Sequence, residues 1–214
     1  ALDAGERLRV DAGLLAVAGG VDVPEVLGSR SGQLLRRGDA LPAGPPTGVS
    51  LRLPVPPVWD EGPIRVVAGP QDGAAELCGP TWTVGPSSDR MGLRLDGPAI
   101  GGGEVTSDGV VPGAVQVPPD GRPILLLAEA PTTGGYVKPA VVATVDLPRA
   151  GRLRPGDEVR FEEVSVDEAL DLLAARRAAL DQLVASAVPA PDARTLLTTN
   201  LVSGAVDPTD DGGR

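Results

Sequence analysis

The chain has 214 residues, including 29 Gly, 23 Pro, one Cys and no His, and a formal net charge of −10 at pH 7. That length permits one large domain or two small ones with a real core. The missing histidine excludes Ser-His-Asp triads, Cys-His dyads and histidine metal sites, and the acidic balance, with no basic stripe, excludes the usual footprint of a nucleic-acid binder.

Residues 1–41 read as short strands and turns. Arg7–Val10 and Leu14–Ala18 are strand candidates around a turn at Asp11–Gly13. Residues 42–58 are rich in Pro and Gly and read as a linker or a crossing strand. The linker is favoured, because proline cannot donate to a central ladder. Residues 59–164 then supply strand candidates at Ile64–Ala68, Thr81–Val84, Ala114–Val117, Ile124–Leu127, Val141–Val145 and Glu158–Val164. Short strands at roughly regular spacing predict a mainly β fold with a closed or nearly closed barrel.

Ser165 and Glu168 form a capping-box pattern, and apolar residues recur at helical spacing from Val166 to Val184. A helix is predicted from about 166 to about 187, stopping before Pro189 and Pro191. It fills a segment 165–188, followed by an extended or flexible tail at 189–214 with no clear period at Leu196–Ser203. An internal echo links Leu35–Leu41 to Leu153–Val159: each places Gly-Asp in a turn before apolar positions. Turn chemistry alone can repeat in this way, and so can a duplicated unit.

The chemistry clusters between Ser87 and Tyr136, among glycines and prolines. Asp89 and Arg90 precede Met91-Gly92, and Arg94 follows two residues on. Two guanidiniums on one face can hold a carboxylate or phosphate bidentately; alternatively, an Asp–Arg pair braces the loop. Glu104, Ser107 and Asp108 adjoin the glycine run 101–103. A carboxylate there can position water or accept a proton, or simply meet an arginine. Gln116 can bond an amide group, whereas Asp120-Gly121 reads better as a hairpin turn. In Thr132-Thr133-Gly134-Gly135-Tyr136, hydroxyls and backbone N–H groups can hold an oxyanion, with the Tyr136 phenol at the loop edge. An ordinary Gly-Gly turn accounts for the same residues. No GxxxxGK[ST] phosphate loop occurs. Cys78 reads as a buried or incidental thiol, a single cysteine that suits a reducing compartment. The longest aliphatic run, Ile124–Ala128, is too short to span a bilayer, and no signal segment opens the chain, so the cytoplasm is the default.

SDRMGLRLDGP (88–98), GAVQVPPDGRP (113–123) and TTGGY (132–136), with LAVAGGVDVPEVLGSRS (15–31) and LRPGDEVRFEEVS (153–165), resemble the allophanate hydrolase subunit 2 family of carboxyltransferases. That family includes the C subunit of bacterial 5-oxoprolinase and half of the carboxyltransferase domain of urea carboxylase. The resemblance covers roughly residues 5–165 and implies two linked cyclophilin-like β-barrels, with 1–41 as the end of the first and 59–164 as the second. This chain begins after the family's Gln-Asp-x-Gly-Arg and Ser-Gly-x-x-Asp motifs. It also shortens near Leu14-Leu15, after GSRS and near Gln71–Ala74. It has Glu129 where relatives have Asp, and Val137 where they have Pro, with Lys138-Pro139 as a shifted version of that turn.

The resemblance implies half of a composite site, completed by an allophanate hydrolase subunit 1-type partner. With an A-type subunit of 5-oxoprolinase, such a pair opens a cyclic amide with ATP hydrolysis. Asp89, Arg90, Arg94, Gln116, Thr132, Thr133, Gly134 and Gly135 are then candidates for binding a small amide or phosphate, with Glu104 and Tyr136 as catalytic groups. A second reading is a biotin-dependent urea or amide carboxylase, which needs a carboxylase and a biotinyl carrier elsewhere, since no Met-Lys-Met motif is present. A third is a regulatory partner of a histidine-kinase inhibitor.

Overall fold

In the computed structural model, residues 20–25, 30, 36, 38–45, 51–52 and 61–189 are described. The strand candidates before residue 20 and the tail after 189 lie outside these residues. By internal contacts the chain divides into Pro57–Leu183 and a second unit made of Ala1–Pro56 with Val184–Arg214.

The second unit is described only in part. Strand β1 (Leu51–Arg52) belongs to it, and an isolated antiparallel bridge joins Val21 to Ala43. The Gly-Asp turn of the echo is also here. Arg36 donates its N–H to Asp39 Oδ2 at 2.6 Å, and Asp39 donates its own to the Arg36 carbonyl at 3.0 Å. Gly38 takes a φ of 101°.

In Pro57–Leu183 the first strand is β2 (Ile64–Ala68), where buried Ile64 and Val66 alternate with more exposed neighbours, the period of a strand with one face in a core. A short helix α1 (Ala74–Cys78) follows, then β3 (Trp82–Val84), β4 (Gly92–Asp96), β5 (Glu104–Gly109), β6 (Ala114–Val117), β7 (Ile124–Leu126) and the long β8 (Thr133–Val142). A 3-10 turn at Thr144–Asp146 leads into α2 (Leu147–Ala150), β9 (Glu158–Val159), β10 (Phe161–Glu163) and α3 (Val166–Ala185). In the other unit, β11 (Val188–Pro189) pairs antiparallel with β1.

The sheet runs β10-β2-β8-β6-β7-β4-β3-β9, with β5 paired to β8. Its two outer strands are consecutive pieces of one segment. Val159 and Glu158 pair with Trp82 and Thr83 of β3, and Phe161–Glu163 pair in parallel with Ile64–Val66 of β2. Residue 160 lies between them, so one stretch of chain holds both edges and leaves the barrel nearly closed. The Arg154–Asp157 turn that starts this stretch repeats the one at 36–39. Arg154 N–H donates to Asp157 Oδ2 at 2.8 Å, Asp157 N–H to the Arg154 carbonyl at 3.0 Å, and Gly156 has a φ of 94°. The echo is therefore structural at the level of the turn.

The core inside the barrel is aliphatic, with Trp82 and Phe161 as its aromatic members. The Trp82 indole donates to the Leu77 carbonyl at 2.9 Å, which satisfies its one polar atom. One buried polar cluster braces the wall. Asp146, 1% exposed, accepts from Arg65 Nε and Nη2 at 2.7 Å each, from Arg65 N at 2.9 Å and from Arg149 Nη1 at 3.2 Å. Burial pushes this carboxyl up. The hydrogen bonds from Arg65 and the charges of Arg65 and Arg149 outweigh it and hold the group below its usual 3.8.

The predicted C-terminal helix is present, and the Glu168 N–H donates to Ser165 Oγ at 3.1 Å, the expected cap. Its apolar spacing does not produce a buried face: no residue of α3 is buried, and Val166, Leu170, Leu180 and Val184 are exposed. No helix among the described residues is long and apolar enough to cross a membrane.

Candidate functional site

The candidates fall on one outer face of the sheet and on the turns around it. In β4, Leu93 and Leu95 enter the core, so Arg94 points outward. Arg94 pairs with Ile124, and Ile124 pairs with Gln116. Residues opposite each other in adjacent strands share a face. Arg94, Ile124 and Gln116 therefore form one row across three strands, and the backbones of its ends lie roughly 10 Å apart.

Beyond Gln116 the row meets β8. A β-carbon on Gly134 would lie 2.1 Å from Gln116 Nε2, so the amide rests directly on the glycine backbone. Tyr136 is two residues along and pairs in register with Glu104 of β5, which brings phenol and carboxylate to one face. Gln116 is 6% exposed, and its Nε2 has no hydrogen-bond partner among the described residues. Buried amides are nearly always bonded, which sets this donor apart.

This arrangement corrects the reading of TTGGY as a turn. Thr133–Tyr136 is the start of strand β8, and Thr132 precedes it, with its carbonyl accepting the Val110 N–H at 3.0 Å. Neither Gly134 nor Gly135 has a positive φ. Successive N–H groups of a strand point to opposite edges, so they do not converge on an oxyanion. The glycines serve close approach instead: Gly134 admits the Gln116 amide, and Gly135 lies under Ser107.

The glycine run at 101–103 is likewise structural. Gly101 N–H donates to Glu76 at 2.8 Å, and Gly103 N–H to the Val117 carbonyl at 3.1 Å. Asp120 Oδ1 accepts the Arg122 N–H at 3.1 Å, the turn role expected of it.

Asp89 and Arg90 lie in the tight turn before β4, not on the strand with Arg94. Asp89 Oδ1 accepts the N–H groups of Met91 and Gly92 at 2.9 and 3.2 Å, a side chain closing its own turn. Arg90 pairs with Glu129 at 2.6 Å, both exposed. The bracing partner is thus Glu129 rather than Asp89, and such a surface pair contributes about 0–1 kcal/mol. Ser88 fixes Arg94 from the backbone side, its Oγ accepting the Arg94 N–H at 2.9 Å.

A cavity of about 700 Å³ opens elsewhere, lined by residues that include Glu61, Arg149, Arg152, Glu158 and Arg160. It shares no residue with the Arg94–Gln116 face. Arg149 is already engaged there by Asp146 and by the Pro63 and Gly62 carbonyls.

Residues 2–163 match the family model described as carboxyltransferase domain, subdomain A and B. The chain belongs to that carboxyltransferase family. It is 36% identical over 177 residues to the 5-oxoprolinase C subunit of Escherichia coli K12, covering 73% of this chain and 57% of that protein. It is 30% identical over 218 residues to the urea amidolyase of Lachancea kluyveri, covering 79% of this chain and 12% of that protein. The crystal structure of the K. lactis urea amidolyase superposes with a TM-score of 0.62 at 26% identity, over 77% of this chain and 13% of that one. The chain thus spans little more than half the length of its 5-oxoprolinase relative.

Within this carboxyltransferase domain, Lys138, read from sequence only as part of a shifted turn with Pro139, lies instead inside strand β8. It is 4% exposed on β8, with its backbone N–H donating to Gln71 Oε1 at 2.8 Å. The available signal was a lone lysine inside the apolar run Val137–Val142.

Proposed function

We propose that this chain is the C-type subunit of an ATP-dependent complex that opens a small amide, with 5-oxoproline as the substrate class. The observation that carries the reading is the row from Arg94 to the unpartnered Gln116 amide, continued by the Tyr136–Glu104 pair. A cyclic amide bearing a carboxylate matches it. Arg94 takes the carboxylate as a planar fork. Gln116 donates to the amide carbonyl. Tyr136 donates to the oxyanion that develops on that oxygen, and Glu104 holds the attacking water or takes its proton.

The 36% identity to a 5-oxoprolinase C subunit supports this reading. ATP and the remaining catalytic groups are assigned to an allophanate hydrolase subunit 1-type partner and to an A-type subunit of the 5-oxoprolinase kind. With Thr132–Tyr136 extended, this chain is given no triphosphate cradle. Asp89 shapes the turn, Thr132 and Thr133 flank the face, and Arg90 braces through Glu129. The likeness to urea amidolyase favours one alternative, in which carboxybiotin is the donor and the same face holds urea or another amide.

Reconstituted complexes assayed with 5-oxoproline and with urea in parallel separate the readings. Turnover of 5-oxoproline with ATP hydrolysis and no biotinyl carrier is expected. Carboxylation of urea that depends on a carrier would transfer the chain to the alternative, and activity with neither would leave a regulatory role. Within the active complex, Arg94→Lys is expected to raise the substrate KM about tenfold or more, because an ammonium loses the bidentate contact. Arg90→Lys keeps its surface pair and should leave kinetics within about twofold. Equal effects of the two substitutions would remove Arg94 from the site.

A further inference from the structure

A second buried donor lies against the same stretch of β8. Val115 pairs with Ala140 and Val117 with Val137, so β8 carries one extra residue opposite Gln116, at Lys138-Pro139. This bulge is held from the far side. Gln71 Oε1 accepts the Lys138 N–H, and Gly69 packs so closely that a β-carbon there would sit 2.1 Å from the Lys138 carbonyl. A bulge re-aims a side chain, and here the Lys138 ammonium folds back to the Tyr136 carbonyl at 3.4 Å. That long contact is its one hydrogen bond, and no carboxylate lies within ion-pair distance of it among the described residues. Buried ammonium groups are otherwise paired, because an uncompensated charge in a low-dielectric interior is costly.

Two donors thus reach residues 134–136: Gln116 Nε2 against Gly134, with no acceptor among the described residues, and Lys138 Nζ at Tyr136, with one long contact to a carbonyl and no carboxylate. We propose that Lys138 joins Gln116 in an oxyanion-binding subsite, in which a phosphate oxygen, or the amide oxygen already given to Gln116, supplies Lys138 with the acceptor of negative charge that the fold does not. The inference rests on the proposed function only for the identity of the ligand, since a phosphate group released or transferred in the reaction has the same chemistry. It assigns Lys138 as a ligand-binding residue.

The test uses the full chain, with Lys138→Met and Gln116→Leu as variants of similar shape. Without ligand, both are expected to melt no lower than the parent, since Gln116→Leu removes an unsatisfied donor and Lys138→Met removes a buried ammonium held by one long contact. A Tm lowered by more than a few degrees in both variants would mean that the donors are satisfied within the fold, and would overturn the proposal. Melting is then followed against 5-oxoproline and against inorganic phosphate, with chloride at matched ionic strength as control. The parent is expected to show a saturable rise in Tm with at least one of these anions. In Lys138→Met the apparent affinity should fall about tenfold or more. Stabilisation by phosphate but not by 5-oxoproline would keep the subsite and sink the 5-oxoproline reading. No stabilisation of the parent by either anion, or an undiminished response in Lys138→Met, would overturn the subsite itself.

Discussion

Tyr136→Phe is expected to reduce turnover of the assembled complex by about 2–4 kcal/mol of transition-state stabilisation, roughly 30-fold to 1,000-fold, while leaving stability nearly unchanged. The two effects separate because of where the hydroxyl lies. Tyr136 is 36% exposed, and its hydroxyl makes no hydrogen bond among the described residues. Its removal therefore strands no buried partner, and a surface change of this kind stays within about 0.5 kcal/mol. The ring, retained in Phe, preserves whatever packing the residue has. Glu104, opposite in register, loses nothing in the folded protein either. A preorganised donor aimed at developing charge, by contrast, acts only when that charge appears. Single-turnover rates and thermal melts of the two proteins decide the matter. Unchanged turnover would retire Tyr136 as a catalytic group and leave the face with Arg94, Gln116 and Glu104.

Asp146→Asn should have the largest effect on stability, about 3–5 kcal/mol, because it leaves two arginines in the wall without their carboxylate. For a chain of this size that corresponds to a Tm lower by roughly 6–20 °C. The pH dependence follows from the direction of the shift. The folded carboxyl lies below its usual 3.8, so its contribution is complete above that value and is lost as pH falls through the folded pKa. The parent should therefore lose stability steeply below about pH 4, and the variant should lack that part of the slope. Urea unfolding followed by the fluorescence of buried Trp82, repeated between about pH 3 and 7, measures both. A loss under about 1 kcal/mol at neutral pH would mean that the carbonyls around Arg149 suffice.

The barrel was legible because its strands carry their signal locally. Ile64–Ala68 alternates, Ala114–Val117 and Ile124–Leu126 are short apolar runs, and Ser165 caps a periodic helix. Within the barrel, three strand segments were not read as such, the first being Gly92–Asp96. Glu104–Gly109 contains Thr, Ser, Asp and Gly and has no buried residue, so its pairing with β8 supplies the order that its composition does not. Thr133–Tyr136 looked like a turn because paired glycines usually mark one. Here they mark the approach of another side chain, a long-range fact invisible in local sequence. The site divides in the same way. Arg94 and Gln116 were identifiable as residue types, but their common row depends on the β4-β7-β6 order, which no motif encodes. The burial of Lys138 escaped because it is set by the bulge around it and by Gln71, 67 positions away.

The closing segment at 158–163 also fixes when this barrel can form. Strand β2, near the start of the unit, finds one of its two neighbours only in Phe161–Glu163, almost a hundred residues on, and β3 waits nearly as long for Glu158–Val159. Contacts so distant along the chain require most of the loop-closure entropy to be lost before they return any energy, which slows folding. A nascent chain that has emerged only through β8 holds two unpaired edges, the kind of exposed backbone that templates association with another chain. Completion comes with one short stretch that binds both edges at once. Ribosome-bound chains ending before residue 158 should consequently remain protease-sensitive, and those extending past 164 should become resistant together along the whole barrel.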